Sequence, residues 1–83
     1  MSAEFTLYSR TGCHLCTEML NQLLSMEQAS TFRVRVVDID DHPVLQSRYA
    51  LRIPILSDID DKELCEHVLD RQVVIDYLTS QNG

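Results

Sequence analysis

The sequence predicts an α/β fold with the element order β-α-β-α-β-β-α. Three observations carry that expectation. Apolar residues alternate with period two in residues 32–37, they recur at spacings of three and four after Gly12 and again after Asp70, and turn-forming clusters separate the runs. The 83 residues contain no stretch that reads as a linker, so one domain spanning 1–83 is expected. With 45% hydrophobic and 24% charged residues and only two Gly and two Pro, the composition excludes a disordered or fibrous chain. A chain of this size buries only about 60 to 65% of its unfolded surface, which places any chemistry close to a small core.

The elements follow in order. Phe5, Thr6, Leu7 and Tyr8 favour a first strand over residues 4–8, which Ser9-Arg10-Thr11-Gly12 interrupts. Cys16, Met19, Leu20, Leu23 and Leu24 then define one buried face of a helix over about residues 13–28, with Thr11 or Gly12 at its N-cap and a weak stop at Ala29-Ser30-Thr31. In residues 32–37, Phe32, Val34 and Val36 alternate with Arg33 and Arg35, the pattern of a strand with one polar face. Asp38, Asp40, Asp41 and Pro43 provide helix-starting chemistry for a short helix carrying Val44, Leu45, Arg48 and Tyr49. Residues 52–56 and 63–69 are β-like runs joined by the turn Ser57-Asp58-Ile59-Asp60-Asp61-Lys62, so they are expected to pair antiparallel. Asp70 can cap a last helix with a Val73, Val74, Tyr77 and Leu78 stripe, ending at the polar tail 80–83.

Charge and motif content remove several function classes. Seven Lys and Arg against thirteen Asp and Glu leave a net charge of −6, the wrong sign for a phosphate-backbone binder, so no nucleic-acid partner is expected. No apolar run exceeds four residues, and Met1-Ser2-Ala3-Glu4 lacks the basic and apolar regions of a signal peptide, so no membrane partner and a cytoplasmic location are expected. Neither an internal repeat nor a glycine-rich phosphate loop supports nucleotide binding. Three cysteines are too few for a disulfide scaffold, and in a reducing compartment thiols serve catalysis or metals.

The chemistry centres on Cys13-His14-Leu15-Cys16. Residues i and i+3 share a helical face, so the two sulfurs can meet, and the first lies beside the unpaired amides at the positive end of the helix. A thiolate is favoured at Cys13, with a pKa below the free value of about 8.5, while Cys16 sits one turn inward. Cys13 is thus the candidate nucleophile and Cys16 the resolving thiol, exchanging through a mixed disulfide. Two cysteines that merely pack on a helix face are the bland alternative.

Leu7-Tyr8-Ser9-Arg10-Thr11-Gly12-Cys13-His14-Leu15-Cys16 resembles the strand-loop-helix active site of glutaredoxins, and Arg48-Tyr49-Ala50-Leu51-Arg52-Ile53-Pro54-Ile55-Leu56 resembles the segment leading to that family's cis-proline. The likeness covers about residues 4–78. It implies a thioredoxin-like fold, a four-stranded mixed sheet flanked by three helices, and a small thiol-disulfide oxidoreductase without a bound cofactor. It further implies a cis bond before Pro54, placement of Ile53 and Pro54 beside Cys13, and backbone pairing there with an incoming thiol or disulfide substrate, either a protein or a glutathione mixed disulfide. Members that use glutathione carry a Gly-Gly pair after the hairpin, whereas residues 63–70 here contain no glycine, and His14-Leu15 replaces the family's Pro-Tyr. These departures mark a divergent branch, in which glutathione as reductant would rely on Arg10 and Asp70; either could equally be an ordinary surface or capping residue.

His14, if protonated, would stabilise its neighbour's thiolate; otherwise it is an exposed first-turn histidine. Cys65 reads as a packed strand thiol, and His42 and His67 as surface residues. Asp58, Asp60, Asp61 and Glu63 lack the glycine and twelve-residue spacing of a calcium loop and read as a solvated turn. Two other functions remain open. One is a metal module in which Cys13, Cys16, Cys65 and His67 hold zinc, or in which Cys13 from two chains bridges an iron-sulfur cluster. The other is a binding module that kept the fold and lost turnover. The chain is expected to be a monomer.

Overall fold

A computed structural model describes residues 3–82; Met1 and Ser2, part of the N-terminal reading, and Gly83, the end of the polar tail, lie outside the described residues. The elements are β1 (Ala3–Ser9), α1 (His14–Leu24), β2 (Phe32–Asp38), α2 (Pro43–Tyr49), β3 (Ile55–Ser57), β4 (Glu63–Glu66) and α3 (Arg71–Asn82), with 3₁₀ turns at Glu27–Thr31 and Ile39–Asp41. The expected order and the four-stranded mixed sheet are therefore present. Strand order is β2-β1-β3-β4, with β1 parallel to β2 and antiparallel to β3, and β3 antiparallel to β4.

Alternation along β1 divides the core between the two faces of the sheet. Phe5 and Leu7 join Leu56 and Cys65 under Met19 and Leu23 of α1 and Val74 and Leu78 of α3. Tyr8 and Ile55 point to the other cluster, with Ile39 and with Tyr49 of α2. A central strand covered on both faces has little room for polar side chains, and residues 5–8 are all buried. The Tyr8 and Tyr49 rings stack at 4.5 Å between centroids.

Local chemistry moves several boundaries. α1 stops at Leu24 and does not reach residue 28, because the Ser25 hydroxyl and N–H both donate to the Asn21 carbonyl (2.7 and 3.1 Å) and Met26 turns into an extended conformation with ψ 149°. Leu24, expected on the buried face, is consequently 57% exposed. On β2 the buried alternation holds for Phe32 and Val34 but fails at Val36, which is 48% exposed on this edge strand, while Val37 packs against the second cluster. β3 is shorter and later than residues 52–56: the N–H groups of Arg52 and Ile53 both donate to the Tyr49 carbonyl, at 2.8 and 3.1 Å, and extend the end of α2 instead of entering a ladder. β4 ends at Glu66, not at residue 69, because His67 takes a left-handed φ of +67°.

The hairpin turn is not a uniformly solvated acidic cluster. Asp58 is buried, and its Oδ1 accepts N–H groups from Asp60 and Lys62, both at 2.9 Å. Asp70 caps α3 as expected, its Oδ1 accepting from Gln72 and Val73. The helix then runs through residues read as tail, to Asn82.

Two outcomes follow from this packing. Leu23 is fully buried against β1, so Leu23→Ala is expected to cost about 2–5 kcal/mol by urea denaturation. The second concerns Tyr8, whose hydroxyl donates to Asp61 Oδ1 at 2.7 Å; burial first, then that hydrogen bond, push its phenol from 10.0 up to about 12. The folded state holds this proton more tightly than the unfolded state, so the associated stability is complete below about pH 10 and is lost as pH rises towards about 12. Denaturation curves at pH 9 and pH 12 are expected to differ less for Tyr8→Phe than for the wild type.

Candidate redox site

The site begins where β1 ends. Gly12 adopts φ +81°, a conformation that side-chain-bearing residues rarely take, and this turn redirects the chain into α1. The turn closes with the Cys13 N–H donating to the Arg10 carbonyl at 3.1 Å. Two side-chain contacts hold the loop against the connection after β2: the Thr11 hydroxyl donates to Asp38 at 3.2 Å, and the Arg10 guanidinium grips Asp40 at 2.8 to 3.2 Å. That guanidinium holds the Asp40 carboxyl below the usual carboxylate range.

The N-cap is Cys13 itself, not Thr11 or Gly12. Its Sγ accepts the Cys16 N–H at 3.1 Å from an extended backbone, and its carbonyl accepts the Thr17 N–H at 3.2 Å. The reason lies in the disulfide: Cys13 and Cys16 are bonded, with Cα atoms 5.2 Å apart, which places the first sulfur over the helix end. Cys13 is half-buried, whereas Cys16 faces the core at 2% exposure. An attacking sulfur that solvent can reach and a partner sulfur sheltered one turn inward are the arrangement that dithiol exchange uses.

The Ile53–Pro54 peptide bond is cis, and Pro54 is completely buried. Tyr8 pairs with Ile55 across β1 and β3, so Pro54 lies one step beyond that pair, at the end of β1 from which the Cys13 loop departs. The Pro54 carbonyl accepts the His67 N–H at 2.9 Å, while the Ile53 N–H is already committed to Tyr49. Backbone pairing with a substrate at Ile53 therefore cannot use that donor without breaking an internal bond.

The remaining candidates already have partners. Arg10 is paired with Asp40, His14 stands exposed in the first turn of α1 with Nε2 3.1 Å from Glu18, and Asp70 caps α3. The four residues of the metal alternative are not assembled. Cys65 points into the core, where burial pushes its thiol up and its Sγ contacts the Asp70 carbonyl at 3.9 Å. His67 has left the strand periodicity that would have put it on the same face as Cys65, and its Nε2 lies 3.3 Å from Glu66. Among the described residues, no group of three or more His, Cys, Asp and Glu is placed to hold a metal. Among the same residues no helix is long and apolar enough to cross a membrane.

Two features of the site were missed in the sequence. A cleft of about 150 Å³ runs beside Leu15, lined by Glu18, Met19, His67, Val68 and Arg71. It joins α1 to the segment after β4, and no local pattern announces a contact over so many residues. The second is Arg52, whose guanidinium contacts Glu63 and Glu66 together and lies 5.7 Å from the centroid of the Tyr49 ring. Its only sequence signal was a charge at the head of an otherwise apolar run.

Comparison with known proteins agrees with this geometry. No curated protein matches. The Glutaredoxin-like domain family (DUF836) matches residues 4–79. The solution structure of protein Ne2328 from Nitrosomonas europaea is similar, with 37% identity over 93% of this chain and 92% of that one, at a TM-score of 0.82. The X-ray structure of protein XcR50 from X. campestris has 34% identity over 92% and 96% of the two chains, with a TM-score of 0.68. Thioredoxin 1 from Thermosipho africanus, at 15% identity over 96% and 99% and a TM-score of 0.64, shares the fold. The chain belongs to the Glutaredoxin-like domain family (DUF836) and has the fold of thioredoxin.

Proposed function

We propose that this protein is a cytoplasmic thiol-disulfide oxidoreductase that works through the Cys13/Cys16 pair without a bound cofactor. The observation that carries this reading is Cys13 at the N-cap of α1, disulfide-bonded to a buried Cys16. In the reducing direction the Cys13 thiolate attacks one sulfur of a substrate disulfide and expels the other as a thiolate, leaving a mixed disulfide on Cys13. The Cys16 thiol gives up its proton and attacks Cys13 Sγ, forming the internal disulfide and releasing the second substrate thiolate. Two electrons pass to the substrate, and an external dithiol or two monothiols, glutathione among them, restore the pair. The amide of Cys16, which donates to Cys13 Sγ in the oxidised state, and the positive helix end both favour negative charge on that sulfur when the bond opens.

Ile53 and Pro54 form the adjoining wall against which a protein or glutathione mixed disulfide rests, and Leu15 offers an apolar contact at the edge of a cleft that Glu18, Gln22 and Arg71 make largely polar. Arg10, His14 and Asp70 act less directly: their polar groups are engaged with Asp40, Glu18 and the α3 amides, so glutathione recognition through them requires exchange of partners.

The test is a titration through glutathione redox buffers, read by intact mass. A two-dalton loss confined to Cys13 and Cys16, with a midpoint between about −270 and −120 mV, is expected. Cys13→Ser is expected to abolish disulfide reduction, while Cys16→Ser traps the mixed disulfide on Cys13; full activity in Cys13→Ser would overturn the reading. Cys65 provides an internal control, since burial raises its pKa above the ordinary thiol value. In reduced, folded protein at pH 7.5 iodoacetamide is expected to label Cys13 and spare Cys65, whose labelling grows only as the pH passes the ordinary thiol range, and Cys65→Ala should keep full turnover.

A further inference from the structure

We propose that Arg52 is a positioning residue that holds the Ile53–Pro54 corner in register for substrate, an inference that rests on the redox reading above. Arg52 is adjacent in sequence to the corner, yet its side chain reaches across to β4. Nε and Nη2 donate to Glu66 Oε1 at 3.2 and 2.8 Å, Nη1 donates to Glu63 Oε2 at 3.4 Å, and Nη2 also contacts Glu63 Oε1. Glu66 directly precedes His67, whose N–H holds the Pro54 carbonyl. On the other side the Arg52 and Ile53 amides bind the Tyr49 carbonyl, and the guanidinium stands over the Tyr49 ring. The corner is thus fastened to α2 by backbone bonds and to β4 by one peptide hydrogen bond and one guanidinium.

An ordinary exposed ion pair contributes little because water screens it. This one differs in its charge arrangement. A single cation lies between two carboxylates on one short strand, and Arg52 holds the Glu66 carboxyl below the usual range. Without the guanidinium, the two carboxylates that converge on it lose their shared cation, since Arg48 on the same Tyr49 ring is paired with Asp61 and His67 reaches Glu66 alone, and their repulsion acts on the segment that carries the Pro54 bond. The planar fork of arginine serves both carboxylates through three nitrogens in a fixed geometry, which the single nitrogen of a lysine ammonium does not reproduce.

The test compares wild type with Arg52→Met, Arg52→Lys and the triple variant Arg52→Met, Glu63→Gln, Glu66→Gln. The neutral small probe 2-hydroxyethyl disulfide reads thiol reactivity, and insulin reads recognition of a protein disulfide. Arg52→Met is expected to react with the small disulfide within about twofold of wild type and to raise the KM for insulin about tenfold with little change in kcat; Arg52→Lys recovers only part of this and the triple variant most of it. Added salt is expected to lower the KM of Arg52→Met by screening the two glutamates and to raise that of wild type. Amide exchange at His67, read by NMR, is expected to quicken about tenfold in Arg52→Met. Unchanged His67 exchange, or equal losses on both substrates, would overturn the proposal. If wild type reduces no disulfide, the redox reading fails separately, and His67 exchange still decides whether Arg52 holds the corner.

Discussion

The pairing of β1 on both of its edges is the constraint from which the rest of the molecule follows. Parallel pairing with β2 needs a crossover, and α1 provides it, so a helix must start just beyond the C-terminal end of β1. Antiparallel pairing with β3 brings the Ile53–Pro54 corner to that same end. The Cys13 helix terminus and the proline corner are separated by 40 residues of chain and lie at one end of β1 because that strand has two neighbours. Burial of β1 on both faces makes the arrangement stiff, with Phe5 and Leu7 anchoring one layer and Tyr8 the other.

Around this frame, charge does the local positioning. The molecule carries a net charge of −6, yet arginines sit at three junctions: Arg10 with Asp40 beside the Cys13 loop, Arg48 with Asp61 at the hairpin, and Arg52 with Glu63 and Glu66 beside the proline corner. Each links elements distant in sequence, and each leaves the guanidinium partly exposed. Contacts of this kind contribute little global stability in water. Their effect is geometric, adding side-chain links between loops that local backbone hydrogen bonds already turn. The stacked Tyr8 and Tyr49 rings support the second and third of these junctions from beneath, with the Tyr8 hydroxyl tied to Asp61.

Much of the fold was legible in the sequence because it rests on periodicity. Cys16, Met19 and Leu23 lie on one face of α1, as their spacing requires, and Asp70 caps α3 through the local chemistry of its side chain. Boundaries were less legible where tertiary contacts compete with propensity. Residues 52–53 read as strand, but their amides find the Tyr49 carbonyl first. Residues 67–69 read as strand, but His67 turns to meet Pro54. The site divides in the same way. Cys13 and Cys16 were readable from a spacing of three, since helix geometry alone lets them meet. The burial of Cys65 was readable as that of a packed strand thiol, but the clamp at Arg52 was not, because it depends on which strand lies next to which.

The sequence by itself therefore determined the Cys13/Cys16 pair, the element order and the core faces. All three arise from interactions within a few residues, where backbone periodicity and capping leave few choices. Only the tertiary structure decided that Arg10 is paired with Asp40 and that Arg52 bridges the proline corner to β4. These depend on contacts across up to 30 residues of chain. At that separation the partner is chosen by sheet order and register, which no local pattern encodes.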